Sequence, residues 1–194
     1  MLSQIALISA GSNKKSPVGP PSITIVYGLR RLLPLARGEM RISSLFATPA
    51  FPSGTGPDFV NAAVAFETDL TADEILNALH LIEAAAGRSR DLRWGQRTLD
   101  LDLIGLGDQI LPDAAVQRQW RDLPLDAQLH ATPEQLILPH PRLQDRSFVL
   151  VPLAEVAPDW RHPLLDLSVV QMRDMLPAAD RASVVPLDHQ AVPR

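Results

Sequence analysis

Four stretches of the chain have the residue patterns of β-strands. Residues 4–10 form a short apolar run that ends in a Gly-Ser-Asn turn, which is typical of a buried strand. In residues 40–46, 59–66 and 98–106, every second position is on the whole more apolar than its neighbours, which is the period of a strand that buries one face. These four stretches are therefore predicted to pair in one sheet.

Two stretches between these strands predict helices. Residues 22–33 keep apolar side chains at helical spacing until Pro34, although their β-branched residues would also suit a strand. Residues 71–86 have the clearer pattern, because Thr71 and the glutamate three residues later form a capping box. Gly87 stands where a helix commonly ends in a left-handed residue.

The order strand, helix, strand, strand, helix, strand predicts an α+β fold with a ferredoxin-like βαββαβ core. Such a core has an antiparallel sheet with helices on one face, so the other face is expected to be open and to carry the site. Residues 112–135 are interpreted as an insertion, and 148–156 and 167–176 predict extra C-terminal helices. We expect a single domain over residues 1–176, followed by a flexible tail over 177–194.

Composition limits the possible classes of protein. The 194 residues include 46% apolar residues, no cysteine and a formal net charge of -4. The negative charge argues against a general nucleic-acid binder, and the lack of cysteine excludes disulfides and zinc thiolates. The apolar run at 5–10 is too short to span a bilayer. We therefore expect a cytoplasmic protein that binds no nucleic acid, associates with no membrane and has no obligate protein partner.

Basic and acidic residues cluster between positions 88 and 102. Four arginines are followed by two aspartates that are one residue apart: Arg88, Arg90, Arg93, Arg97, Asp100 and Asp102. On a strand the two aspartates share one face, with Cα atoms about 7 Å apart. On a helix they would diverge by roughly 200°. The strand pattern therefore makes a carboxylate pair, next to a loop rich in arginine.

This combination has the chemistry of a phosphoryl-transfer site. Paired carboxylates suit Mg²⁺, and the guanidinium group suits polyphosphate oxygens. The structural alternative is a solvated strand face beside a charged loop, and it would be the better explanation for two alternating aspartates alone. The adjacent arginines favour the functional interpretation.

Residues 93–102, which read RWGQRTLDLD, resemble the signature of the 6-hydroxymethyl-7,8-dihydropterin pyrophosphokinases of folate biosynthesis. Three further blocks resemble the family in the same order, and the resemblance spans roughly residues 4–160 without the insertion. They are Gly11-Ser12-Asn13, then Thr48-Pro49 with residues 57–63, and finally residues 138–142 with 146–148. Gln96 departs from the family's usual proline, and Phe59 replaces a tyrosine that some members have.

The resemblance implies a reaction and a set of site residues. The family transfers the pyrophosphoryl group of ATP to the dihydropterin, releases AMP and uses two Mg²⁺ ions. By position, Asp100 and Asp102 would hold both metal ions, and Arg88 and Arg97 would act on the polyphosphate as catalytic residues. The nucleotide would also meet Glu83, Arg90, His140 and Arg146. The pterin would meet Thr48, Phe51, Phe59, Asn61, Trp94 and Phe148.

Some of these residues have ordinary structural explanations. Without the resemblance, Phe59 and Phe148 would more often belong to a core, and His140 could be a cap or a surface residue. Two other functions compete with the pyrophosphokinase. A metal-dependent phosphodiesterase would use the same aspartates to activate water, but it would need more ligands than the pair supplies. A ferredoxin-like sensor would bind a nucleotide without chemistry.

Overall fold

The computed structural model describes residues 3–50, 56–88, 97–124, 127 and 131–187. The strands are β1 (Gln4–Ser12), β2 (Met40–Ile42), β3 (Phe46–Thr48), β4 (Phe59–Thr68), β5 (Asp100–Leu106) and β6 (Val185–Pro186). The helices are α1 (Pro21–Leu32), α2 (Ala72–Ala85), α3 (Ala114–Arg121), α4 (Ser147–Val156), α5 (Val169–Met175) and α6 (Ala178–Ala182). In the described part of the chain, no helix has the length and apolar character that crossing a bilayer requires.

All six strands form one antiparallel sheet in the order β5, β1, β4, β3, β6, with β2 also paired to β4. Two helices alternate with the first five strands in the order of a ferredoxin-like core. The predicted α+β fold is therefore confirmed. β5 lies at one edge of the sheet and β1 lies in its interior, beside β4.

Helices α1 and α2 cover one face of the sheet, as expected. Their apolar stripes pack on alternate residues of β1, β4 and β5, among them Ile8, Val64 and Leu103. The capping box of Thr71 is present at the start of α2, and Gly87 has a positive φ of 78° just after the helix ends. The local signals in the sequence thus fix where α2 begins and ends.

The opposite face is not open along its whole length, which corrects the expectation of an uncovered side. Helices α4 and α5 pack on it and bury Leu7, Ala63, Ala65 and Ile104. The apolar stripe of α4 needs a partner, and this face supplies apolar residues at one end only. The site residues lie beyond this covered part, nearer the other end of the same face.

The expected strand 40–46 is two strands, β2 and β3. Ile42 pairs with Val64 but Phe46 pairs with Asn61, so four residues on one side oppose three on the other. The Ser43 hydroxyl accepts the Ala63 N–H at 2.9 Å in this irregular stretch. Strict alternation over residues 40–46 would place Ile42 and Phe46 on one face. The single extra residue moves the following side chains to the other face, so Phe46 lies on the face opposite to Ile42.

Residues 178–186, within the stretch 177–194 that was expected to be a flexible tail, contain secondary structure. α6 and β6 lie between residues 178 and 186, and β6 pairs with β3 through Ala47 and Val185. The Leu187 N–H extends this contact by donating to the Leu45 carbonyl at 2.8 Å. The free edge of β3 accounts for this pairing, because it offers backbone groups that a short segment can bond.

Candidate active site

β5 presents the two aspartates on one face, as the alternation predicts. Leu101 and Leu103 point into the core under α1 and α2, so Asp100 and Asp102 project from the opposite face. Asp100 pairs with Gly11 of β1, and Asp102 pairs with Ser9. The two aspartates therefore lie directly beside β1 in the sheet.

Asp100 and Asp102 have different surroundings. Asp100 is 15% exposed, and its carboxylate contacts both Arg88, at 2.7 Å, and Arg97. Asp102 is 41% exposed, and Arg146 Nη1 lies 3.9 Å from its Oδ2. Burial, followed by the charge of the neighbouring Asp102, raises the pKa of Asp100 above its ordinary value, and the charges of Arg97 and Arg88 offset this rise only in part. The arrangement joins two carboxylates to three arginines.

Glu83 lies behind this cluster rather than at its surface. Its side chain is 2% exposed, accepts the Leu101 N–H at 2.7 Å and contacts the Arg88 guanidinium. Burial raises the pKa of Glu83 to about 7, against the opposing effects of the Leu101 N–H and Arg88. The contacts make Glu83 a residue that holds Arg88 and the start of β5 in position.

Asn13 holds the backbone of Arg97, three residues before β5 begins, and the sequence alone indicated no role for it. Its Oδ1 accepts the Arg97 N–H at 2.9 Å, and its Nδ2 donates to the Pro57 carbonyl at 3.2 Å. The Arg97 carbonyl accepts from the N–H groups of Asn13 and Lys14. The resemblance of Gly11-Ser12-Asn13 to the family's motif was the available signal in the sequence. Such a short motif does not reveal which residues the Asn13 side chain bonds.

The backbone of His140 is hydrogen-bonded to β5, the strand that carries Asp100 and Asp102. Its N–H donates to the Ile104 carbonyl at 2.9 Å, and its Nδ1 accepts the Arg142 N–H at 3.1 Å. Burial, followed by the charge of Arg146, lowers the pKa of His140 to about 3. The imidazole is therefore neutral at ordinary pH, with its proton on Nε2, which makes it a hydrogen-bond donor.

The polar residues expected to meet the pterin lie together on the same face of the sheet. Asn61 Nδ2 donates to Thr48 Oγ1 at 2.6 Å, and Thr48 pairs with Phe59 across β3 and β4. Gly11 pairs with Asn61 as well as with Asp100, so it lies between the acids and this group. A Cβ at Gly11 would lie 3.0 Å from Asn61 Oδ1, which leaves little space for a side chain there.

Phe148 approaches the site from α4. It is half-buried against the core under α4 and α5, and its ring centroid lies 5.7 Å from the central carbon of the Arg146 guanidinium. Phe51, Arg90 and Trp94, together with Arg93 of the arginine cluster, fall outside the described residues. The expectations for these four positions stay predictions.

The chemistry of the acidic pair is compatible with a divalent metal ion that takes its remaining ligands from a substrate. Within the described ranges, no group of three or more His, Cys, Asp or Glu side chains could hold a metal ion. Mg²⁺ is commonly held by one or two carboxylates plus phosphates and water, so Asp100 and Asp102 meet that requirement. A phosphodiesterase that activates water would be expected to carry further protein ligands.

A comparison with known families settles the relationship. The family described as 7,8-dihydro-6-hydroxymethylpterin-pyrophosphokinase (HPPK) matches residues 7–158, which include most of β1, all of β2 to β5 and α4. The chain belongs to the HPPK family. The span contains Asp100, Asp102, His140 and Arg146, so the whole described cluster lies within the HPPK match.

Curated relatives of this HPPK family member carry a matching name. Proteins named 2-amino-4-hydroxy-6-hydroxymethyldihydropteridine pyrophosphokinase are similar in Pseudomonas aeruginosa, at 41% identity over 160 residues, and in Synechocystis, at 36% over 168 residues. The first match covers 82% of this chain and 85% of the relative. The second covers 86% and 73%, respectively.

Solved structures support the HPPK fold. Wild-type HPPK-DHPS from Plasmodium falciparum superposes with a TM-score of 0.59 at 13% identity, over 89% of this chain. A triple mutant of the same protein with SDX-DHP gives a TM-score of 0.61 at 12% identity. Because this chain spans 44% of those longer chains, the likeness concerns the HPPK fold alone.

Proposed function

We propose that the end of the sheet around Asp100 and Asp102 is the place where this chain binds its two substrates side by side and transfers the pyrophosphoryl group. As an HPPK family member, the chain is an enzyme that transfers the pyrophosphoryl group of ATP to 6-hydroxymethyl-7,8-dihydropterin in folate synthesis. One observation carries the assignment of the site: two carboxylates on one strand meet three guanidinium groups there.

Asp100 and Asp102 are the proposed ligands of two Mg²⁺ ions. Bound there, the ions would neutralise charge on the phosphates of ATP and help to align the attacking hydroxymethyl oxygen. Asp102, with its greater exposure, is open to a ligand from solvent. Asp100 is oriented by Arg88 and Arg97, each of which contacts one oxygen of its carboxylate.

The arginines are proposed to hold the polyphosphate. Arg97 lies beside Asp100, and Asn13 fixes its backbone by a hydrogen bond. The guanidinium group therefore extends from a fixed backbone position. A fixed positive charge stabilises the charge that develops on phosphate oxygens during transfer, and it needs no reorganisation to do so. Arg88, which Glu83 holds from behind, is proposed to assist in the same role.

His140 and Arg146 are proposed to bind the nucleotide phosphates. The neutral His140 can donate from Nε2 because its Nδ1 is occupied by the Arg142 N–H. Arg146 extends from the turn after His140 toward Asp102 and brings positive charge to the same end of the sheet. Arg90 is assigned to this group by the resemblance of the sequence.

The pterin is proposed to occupy the part of the face formed by β3 and β4. Asn61 presents an amide that matches the donor and acceptor edge of a pterin, and its nitrogen is oriented by Thr48. Phe59 and Phe148 are proposed to stack on the flat ring, a contact that contributes about 1 kcal/mol beyond area burial. Phe51 and Trp94 are assigned to the pterin by the resemblance.

The direct test is to incubate the purified protein with ATP, Mg²⁺ and hydroxymethyl-dihydropterin and to separate the nucleotides. AMP formed in equal amount to the pterin diphosphate is the expected result. Release of ADP or phosphate without a pterin product would contradict the proposal. Tight ATP binding without turnover would instead favour a sensor.

A further inference from the structure

Gln117 makes a buried contact that the proposed mechanism does not use. It lies in α3, inside the segment that the sequence analysis interprets as an insertion, and its side chain is 0% exposed. Its Nε2 donates to the Pro139 carbonyl at 3.2 Å, one residue before His140. Only the amide nitrogen can face a carbonyl oxygen favourably, so Pro139 fixes the orientation of the amide.

The segment before His140 is held on two other sides as well. Leu111 and Leu138 exchange two backbone hydrogen bonds, at 2.9 and 3.1 Å, and the His140 N–H is bonded to β5 through Ile104. The helix that carries Gln117 is itself anchored, because the Asp113 side chain accepts the N–H groups of the first turn. Gln117 is therefore the side-chain contact from an anchored helix to the backbone just before His140.

The contact is not explained by stability alone. Gln117 Oε1 is buried and has no hydrogen-bond partner within the described residues. A buried amide that satisfies only one of its two ends is less favourable than an apolar side chain of the same size. The bond to Pro139 is better accounted for by the position that it imposes on the next residue.

We propose that Gln117 is a positioning residue for nucleotide binding, which fixes the Pro139 carbonyl and thereby the direction in which His140 presents its imidazole. The inference gives the inserted helix α3 a role in the site, and it rests on the proposed contact of His140 with the nucleotide. Gln117 itself touches no substrate in this scheme.

The test compares Gln117→Met with Gln119→Met. Methionine is about as long as glutamine but has no donor, and Gln119 is an exposed residue of the same helix. Gln117→Met is expected to raise the KM for ATP and the Kd for a non-hydrolysable ATP analogue by about five-fold, since a misdirected His140 imidazole would lose about one net hydrogen bond to the nucleotide. The KM for the pterin and all constants of Gln119→Met should stay unchanged. Unchanged ATP binding in Gln117→Met, or an equal loss for both substrates, would overturn the inference.

His140→Ala separates this inference from the proposed function. If His140→Ala leaves the Kd for the ATP analogue unchanged, the nucleotide role of His140 is wrong, and the inference falls with it. If His140→Ala weakens binding but Gln117→Met does not, only the inference about Gln117 is wrong. In the His140→Ala background, Gln117→Met should have no further effect, and additive losses would contradict coupling. Gln117→Leu gives the same expected results with a side chain of different shape, should the methionine variant fold poorly.

Discussion

The Arg97 guanidinium contacts the carboxylate of Asp100, three residues further along the chain. Arg88 contacts the other oxygen of the same carboxylate at 2.7 Å, so Asp100 is surrounded by charge, whereas Asp102 is 41% exposed. Two acids that look equivalent in the sequence therefore differ in what they do for the fold. Substitutions at the two positions should show that difference.

Asp102→Asn and Asp100→Asn should each lower turnover by roughly 100- to 1000-fold, because each removes a proposed metal ligand and its charge. Their effects on stability should differ. Asp102→Asn should leave the free energy of unfolding almost unchanged, whereas Asp100→Asn should lower it by about 1–3 kcal/mol, since two arginines lose a charged partner. AMP release and urea denaturation measure the two effects. Near-normal activity in either variant would show that the metal assignment is wrong.

Arg97→Ala should lower turnover more than it weakens ATP binding, because the guanidinium is proposed to act on charge that develops during transfer. The activation barrier is expected to rise by about 3 kcal/mol. Single-turnover kinetics and the Kd for an ATP analogue separate the two effects. Arg118→Ala on the exposed side of α3 is the control and should change neither. Equal losses in turnover and affinity would make Arg97 a ground-state binder.

Asn13→Ala should weaken catalysis although Asn13 is proposed to touch no substrate. The variant loses one bond to the Arg97 backbone and one to Pro57, which should lower the free energy of unfolding by about 1–2 kcal/mol. It should also lower turnover, because the backbone of Arg97 is no longer held in position by Asn13. Lys14→Ala, with an exposed side chain next in sequence, is the control. A loss of stability without any loss of turnover would count against the positioning role.

Gly11→Ala should raise the KM for the pterin by about five-fold, since the new Cβ would lie 3.0 Å from Asn61 Oδ1 and displace an amide worth one net hydrogen bond. The Kd for an ATP analogue should change little, because His140 and Arg146 are untouched. Gly56→Ala is a suitable control, as its Cβ would make only an ordinary contact at 3.9 Å with Asn13. A change confined to ATP would contradict the placement of the pterin.

His162 should make the protein less stable in acid. Burial, followed by the charge of Arg121, lowers the pKa of His162 to about 4 in the folded state, whereas the unfolded chain has an ordinary value near 6.5. The unfolded chain therefore binds a proton that the folded chain excludes, and stability that is fully present above pH 6.5 is lost as the pH falls toward 4. The loss from this group is up to about 3 kcal/mol.

His162→Asn provides the comparison for this pH dependence. Asparagine can still accept the Leu164 and Leu165 N–H groups that His162 Nδ1 accepts, but it does not titrate. Urea denaturation between pH 4 and 7.5 should give a shallower dependence for the variant. Parallel curves for the two proteins would show that His162 does not carry the effect.

The sequence determined the elements whose signals are local. The capping box at Thr71, the glycine after α2 and the alternation of β5 each depend on residues close together in the chain, and the structure has all three. The shared face of Asp100 and Asp102 follows from the same alternation, because successive side chains of a strand must point to opposite sides. Together with the arginine cluster, this was enough to indicate phosphoryl-transfer chemistry.

Only the tertiary structure decided the features that depend on distant partners. The extra residue near Ser43 moves Phe46 to the other face, α4 and α5 cover part of the face that was expected to be open, and β6 pairs with β3. Likewise, nothing near Asn13 or Gln117 in the chain reveals that their amides meet Arg97 and Pro139. A hydrogen bond or a packed face requires two groups to meet in space, and a single pattern along the chain describes only one of them.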